Sequence, residues 1–71
     1  MNMRPPRSSS SHIHSLGFDA DTGTMTVRFH RGGEYHYENV EQETFDALHN
    51  HESPGRYFRE NVLGQYKHRK A

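Results

Sequence analysis

From Thr24 to His30 the chain alternates without a break, with Met25, Val27 and Phe29 apolar and Thr24, Thr26, Arg28 and His30 polar. A period of two marks a strand with one buried face and one wet face. Arg31-Gly32-Gly33 follows, and Tyr35-His36-Tyr37 then takes up the alternation again. Two such runs joined by a glycine-bearing turn define a β-hairpin. A three-residue loop Arg31-Gly32-Gly33, with Gly33 left-handed, pairs Phe29 with Tyr35 and Val27 with Tyr37 on the buried face. It also sets His30 against Glu34 and Arg28 against His36 on the outer face. Parity therefore sends Tyr35 and Tyr37 to the core and turns His36 outward beside Arg28. The other use open to the two tyrosines is as a stacking platform for unpaired bases.

Upstream, Ile13 to Phe18 reads as a strand in which Leu16 and Phe18 share a face. Ile13 is out of phase, and a bulge or bend near Gly17 is expected to reconcile them. Asp19-Ala20-Asp21-Thr22-Gly23 has turn chemistry. After Val40 the period changes to about 3.6, with Thr44, Phe45 and Leu48 on one stripe and Glu41 and Glu43 at the positive end of the helix dipole. Asn50 is the expected stop. Ser53 as N-cap and Pro54 at the first helical position begin a second helix, in which Phe58 and Val62 lie one turn apart. Gly64 ends it and leaves Gln65 to Ala71 as a basic tail that begins by pinning Tyr66 to the core.

The expected fold is α+β: a three-stranded antiparallel β-meander followed by two short helices packed on one face (βββαα), the other face open to solvent. Residues 1–10, with Pro5-Pro6 and the start of the serine run, are expected to form a disordered arm, 11–69 the domain and 70–71 a C-terminal tail. At 71 residues and 30% hydrophobic content the core must be thin. Its candidates are Ile13, Leu16, Phe18, Met25, Val27, Phe29, Tyr35, Tyr37, Val40, Phe45, Leu48, Tyr57, Phe58, Val62, Leu63 and Tyr66. A core this small implies low stability or help from self-association, so a monomer or weak homodimer is expected.

With no cysteine, neither disulfides nor thiolate metal sites can staple the domain. No run is long and apolar enough to be a signal or a membrane span, so a cytoplasmic protein without membrane attachment is expected. Net charge is zero but unevenly spread. Between Gly32 and Glu52 every charged residue is acidic. From Ser53 onward Arg56, Arg59, Lys67, Arg69 and Lys70 oppose only Glu60, an excess of four positive charges (5 − 1). That division suggests an anion-binding surface at one end of the chain.

Leu16-Gly17-Phe18-Asp19, Val27 to Phe29, Gly32-Gly33 leading to Tyr35-His36-Tyr37, Val40, and Ser53-Pro54-Gly55-Arg56-Tyr57-Phe58 together form a pattern that resembles the KTSC domain. The likeness spans roughly Ser9 to Arg69. That family takes its name from the C-terminus of some lysyl-tRNA synthetases and also occurs as free-standing small bacterial proteins. The resemblance implies RNA binding as the suggested role and no established activity. This chain departs from the familiar pattern at Phe18, where tyrosine is common, at Arg59, where asparagine is common, and at His68, where an aromatic residue is usual.

The expected nucleic-acid surface is the basic second helix and tail, Arg56, Arg59, Lys67, Arg69 and Lys70, aided by Arg28 and His36 on the outer sheet face. Arg56 and Arg59 share a helix side near backbone N–H groups that Gly55 leaves accessible. Tyr35, Tyr37, Ser53, Gly55, Tyr57 and Phe58 carry the structural motif. The alternative is a protein-interaction module that uses the open sheet face or the acidic stretch. His12-Ile13-His14 and His49-Asn50-His51 have ligand-like spacing, but no third donor is specified, so no metal is expected. No nucleophile has a recognisable base and no phosphate loop occurs, so neither an enzyme nor a cofactor is expected.

Overall fold

The computed structural model describes residues 3–6 and 12–71. Its elements are β1 (Ile13–Asp19), β2 (Thr24–Phe29), β3 (Glu34–Tyr37), α1 (Gln42–Asn50), α2 (Pro54–Asn61) and β4 (His68–Lys70). The strands form one antiparallel sheet in the order β1-β2-β3-β4. The sheet thus has four strands rather than the expected three. Its last strand comes from the tail, so residue 70 lies in the sheet and not beyond the domain. Nothing in Lys67-His68-Arg69-Lys70 alternates, and all three residues of β4 are exposed. Backbone pairing and the ring of His68 against Tyr37 hold it, flanked by Glu38 N–H donating to Lys67 O (2.9 Å) and Ala71 N–H to Glu34 O (2.7 Å).

The inner face carries Leu16 opposite Val27 and Phe18 opposite Met25, continuing to Tyr35 and Tyr37 on β3. Ile13 pairs with Phe29 but Ser15 with Arg28, so His14 is the extra residue of a bulge. The bulge brings Ile13 and Leu16, three residues apart, onto the same buried face. Gly17, where a bend was expected, pairs regularly with Thr26. A bulge there would lie beyond Leu16 and could not bring Ile13 into phase.

The β2–β3 hairpin keeps the expected parity but not the expected register. Arg28 faces Glu34, Val27 faces Tyr35 and Met25 faces Tyr37. Phe29 N–H donates to Gly33 O (3.1 Å), which makes the loop His30-Arg31-Gly32, one residue earlier than predicted. The backbone explains the shift: Gly32 and Gly33 both take positive φ, 90° and 92°, a pair of conformations only glycine adopts freely. The β1–β2 turn is the one expected, with Asp21 N–H on Asp19 Oδ1 (3.0 Å) and Gly23 N–H on Asp19 O (2.8 Å).

Both helices lie on the inner face. Leu48 from α1, Phe58 from α2 and Val62 just after it join Leu16, Met25 and Val27 in the core. Phe58 is the joint between layers, meeting Phe29 at 5.6 Å and Tyr37 at 5.5 Å edge to face. Tyr66 is pinned as expected, its hydroxyl 3.2 Å from Thr44 Oγ1. Leu63, a predicted core residue, is instead 49% exposed. It falls one turn beyond exposed Arg59, off the Phe58–Val62 row that faces the core. Ser53 occupies the N-cap position of α2, yet its side chain makes no cap hydrogen bond. Its N–H donates to His51 Nδ1 (2.9 Å), and its carbonyl accepts from Tyr57 N–H (3.0 Å).

At the free edge of β1, Arg4 and Leu16 exchange two backbone hydrogen bonds of 2.7 Å. Within the predicted disordered arm, residues 1, 2 and 7–10 lie outside the described residues. Among the described residues no helix is long and apolar enough to cross a membrane.

Candidate nucleic-acid interface

In an antiparallel sheet, residues directly opposite one another project on the same side. On the side away from the helices this rule brings together Arg28 of β2, Glu34 and His36 of β3, and Arg69 of β4. Arg69 stands directly opposite His36, and His36 opposite Thr26. Not all of this face is open. Ser15 and Thr26 are only 4% exposed, being short side chains paired with the longer Arg28 and His36. Arg28 and Arg69 are exposed, and half-buried His36 pairs with Arg69 and stands two residues along β3 from Glu34, the partner of Arg28.

Glu34 organises the group. Its Oε1 accepts from Arg28 Nη2 (3.0 Å) and Nε (3.3 Å), and its Oε2 lies 3.4 Å from His36 Nε2. Hydrogen bonds from Arg28 first and His36 second hold the Glu34 carboxyl below the usual carboxylate range. A carboxyl whose pKa is depressed on folding stabilises the folded state above its unfolded pKa, and loses that contribution as pH falls through the folded value. Glu34→Gln should therefore flatten the acid side of the stability–pH curve below about pH 5 by lowering the neutral plateau slightly, with the two proteins converging in acid. Urea midpoints measured from pH 3 to 7 check this. An unaltered acid limb would show that Glu34 contributes nothing to it.

The remaining cations do not join this group. α2 lays Phe58 on the inner face, so Arg56 and Arg59 belong to the opposite layer from Arg28, His36 and Arg69. Arg56 is engaged with Glu60 (Nε to Oε1, 3.3 Å). Arg59 borders a small apolar cleft lined by Gly55, Phe58 and Leu63. Lys67 precedes β4 and is exposed, whereas Lys70 stands opposite Tyr35, at an inner-face position. The basic surface expected as one patch is thus distributed over two layers.

Of the motif residues, Tyr37 is 2% exposed and Tyr35 half-buried, so the core reading of both describes their packing. Burial, and secondarily the neighbouring Tyr35, raises the Tyr37 phenol above its ordinary value. Tyr57 packs beside His51 at 5.1 Å. His68, which the sequence marks only as a departure from the family pattern, stacks its ring on Tyr37 at 5.2 Å and lies 5.9 Å from Tyr35. An imidazole thus fills the place where the resemblance leads one to expect another aromatic ring. The histidine pairs are dispersed, with His49 beside Phe45 and His51 beside Tyr57. Among the described residues no three His, Cys, Asp or Glu side chains are grouped to hold a metal.

A four-stranded antiparallel sheet with two helices on one side and a cation-bearing opposite side defines a small α+β domain of the sheet-and-helix class. The family model described as the KTSC domain matches residues 9–66, and the chain belongs to that family. It is 39% identical over 57 residues to an uncharacterised protein of Stutzerimonas stutzeri strain A1501, with 80% of each chain covered. It also resembles the crystal structure of a KTSC domain protein from Yersinia pestis, at a TM-score of 0.88, 30% identity and 99% coverage of both chains.

Proposed function

We propose that this protein is a non-enzymatic, cytosolic RNA-binding domain whose contact surface is the outer sheet face at β3 and β4. The observation that carries the reading is the pairing of Arg69 with His36, beside Arg28, on a side of the sheet that the helices leave uncovered. Such a group suits phosphate contacts, with His36 able to donate to phosphate or stack on a base. Lys67, next to β4 in the chain, adds to the local positive charge. The lysyl-tRNA synthetase setting that the resemblance implies makes tRNA the first RNA to try. Arg56 and Arg59 play a lesser part in this reading, because they lie in the other layer.

Arg69→Glu should weaken tRNA binding at least about tenfold at low salt and reduce the slope of log affinity against log salt. Arg56→Glu should change binding by less than about threefold, since Arg56 lies on α2 in the layer away from this face. Fluorescence titrations at two salt concentrations read both. Equal losses in the two variants would mean diffuse attraction. No RNA binding by the parent protein at low salt would overturn the proposal and favour a protein partner for the same face or the acidic stretch.

A further inference from the structure

Away from the outer face, a groove of about 560 Å³ lies between β1 and α1, lined by Phe18, Phe45, Asp46, Gln42, Asn50 and Arg4 among others. That volume is in the range of small-ligand sites. α1 presents two adjacent rows to it, each with a spacing of four residues. One is aromatic: Phe45 stacks on Phe18 of β1 at 5.3 Å and 18°, and His49 follows at 5.8 Å from Phe45. All three rings are half-buried, which leaves part of each ring uncovered.

The other row is polar, and its hydrogen bonds set its chemistry. Gln42 Nε2 donates to Asp46 Oδ1 (3.0 Å), and Asn50 Nδ2 donates to the Asp46 carbonyl (2.9 Å). Both amides thus direct a donor toward Asp46. The second N–H of each amide, the two amide carbonyl oxygens and the Asp46 carboxylate with its free second oxygen remain to meet a ligand. A ligand that stacks on the rings and meets the acceptor-only Asp46 carboxylate at the middle of this row must carry adjacent donors on one edge. Across the groove, Arg4 offers an exposed guanidinium suited to an anion, its backbone anchored on Leu16.

We propose that this groove binds a guanine nucleotide, either free or as an unpaired guanosine of RNA. Guanine presents N1–H and N2–H₂ side by side, two donors for the Asp46 carboxylate, whose second oxygen is free and whose Oδ1 keeps a lone pair beside the Gln42 bond, and its phosphate reaches Arg4. Adenine presents an acceptor, N1, where the row needs a donor, and is disfavoured. This site is separate from the outer face and does not depend on the RNA reading of that face.

Amide NMR titrations of the full chain with GMP, AMP and guanosine test it, alongside two single-stranded hexanucleotides that differ by one central guanosine or adenosine. GMP should move Phe18, Ala20, Phe45 and Asp46, bind at least about tenfold more tightly than AMP, and lose that advantage in Asp46→Asn. Arg4→Ala should weaken GMP but not guanosine. Arg69→Glu should leave the GMP shifts intact, which separates this site from the outer face. A guanosine-dependent response to the hexanucleotide alone assigns the source to RNA, and a response to GMP alone assigns it to free nucleotide. Equal response to GMP and AMP, shifts outside the groove, indifference to Asp46→Asn, or no response to any guanine probe would each overturn the proposal.

Discussion

Phe58→Ala is expected to lower the unfolding free energy by about 3–5 kcal/mol, the usual cost of removing a buried phenylalanine. Phe58 is 7% exposed and touches both Phe29 and Tyr37, so its loss opens a cavity exactly between the helix layer and the sheet. Neither layer can collapse to fill the space, because each has its own backbone pairing to preserve. A small domain commonly has only about 5 kcal/mol to lose, so the variant should be largely unfolded at 37 °C. Phe58→Leu retains most of the volume and should cost about 1–1.5 kcal/mol. Urea denaturation followed by circular dichroism measures both. A cost below about 1 kcal/mol for the alanine variant would mean that α2 is not docked through this ring.

Truncation after Tyr66 is the second large effect expected. It removes β4, together with the Glu38–Lys67 and Glu34–Ala71 backbone hydrogen bonds and the His68 ring that stacks on Tyr37. At roughly 0.5–1.5 kcal/mol for each net hydrogen bond, offset by the ordering entropy of five residues, a loss of about 1–3 kcal/mol follows. Amide exchange should accelerate at Glu34, His36 and Glu38 in β3 and its continuation, while β1 and β2 stay protected. His68→Ala separates the contributions, since it keeps the pairing and loses only the ring contact, about 0.5–1.5 kcal/mol. If the truncated chain matches the full chain in urea midpoint, β4 contributes nothing to stability.

Those two elements also show where the sequence was readable. Phe58 was assigned to the core from its one-turn spacing to Val62, and α2 does bury it. Tyr35 and Tyr37 were placed by parity, which survives a register error of two residues. The register itself was misjudged because it depends on where two consecutive positive-φ glycines sit in the loop, and loop length alone does not fix that. The bulge was required by the phase of Ile13, but its position at His14 follows from backbone pairing that side-chain pattern does not report. β4 was illegible for a plain reason: a strand of three exposed residues has no buried face to impose alternation. That gap carried over to the candidate site. Arg69 was named, but its position opposite His36 needs the strand, so the basic residues were grouped by chain position and not by layer. The groove beside α1 was missed altogether, because its polar row depends on which way Gln42 and Asn50 turn their amides.

The helices cover only one side of the sheet, and this has a consequence for how such a domain can diversify. Arg28, His36 and Arg69 hold up no core contact, so, on the proposed reading of this face, exchanging them alters recognition at little cost to folding. The apolar side, in contrast, tolerates few changes. A lineage built on this arrangement can therefore rewrite its ligand preference residue by residue on one side while its architecture is inherited unchanged on the other. Relatives that share the fold and the inner aromatic residues need not share a ligand.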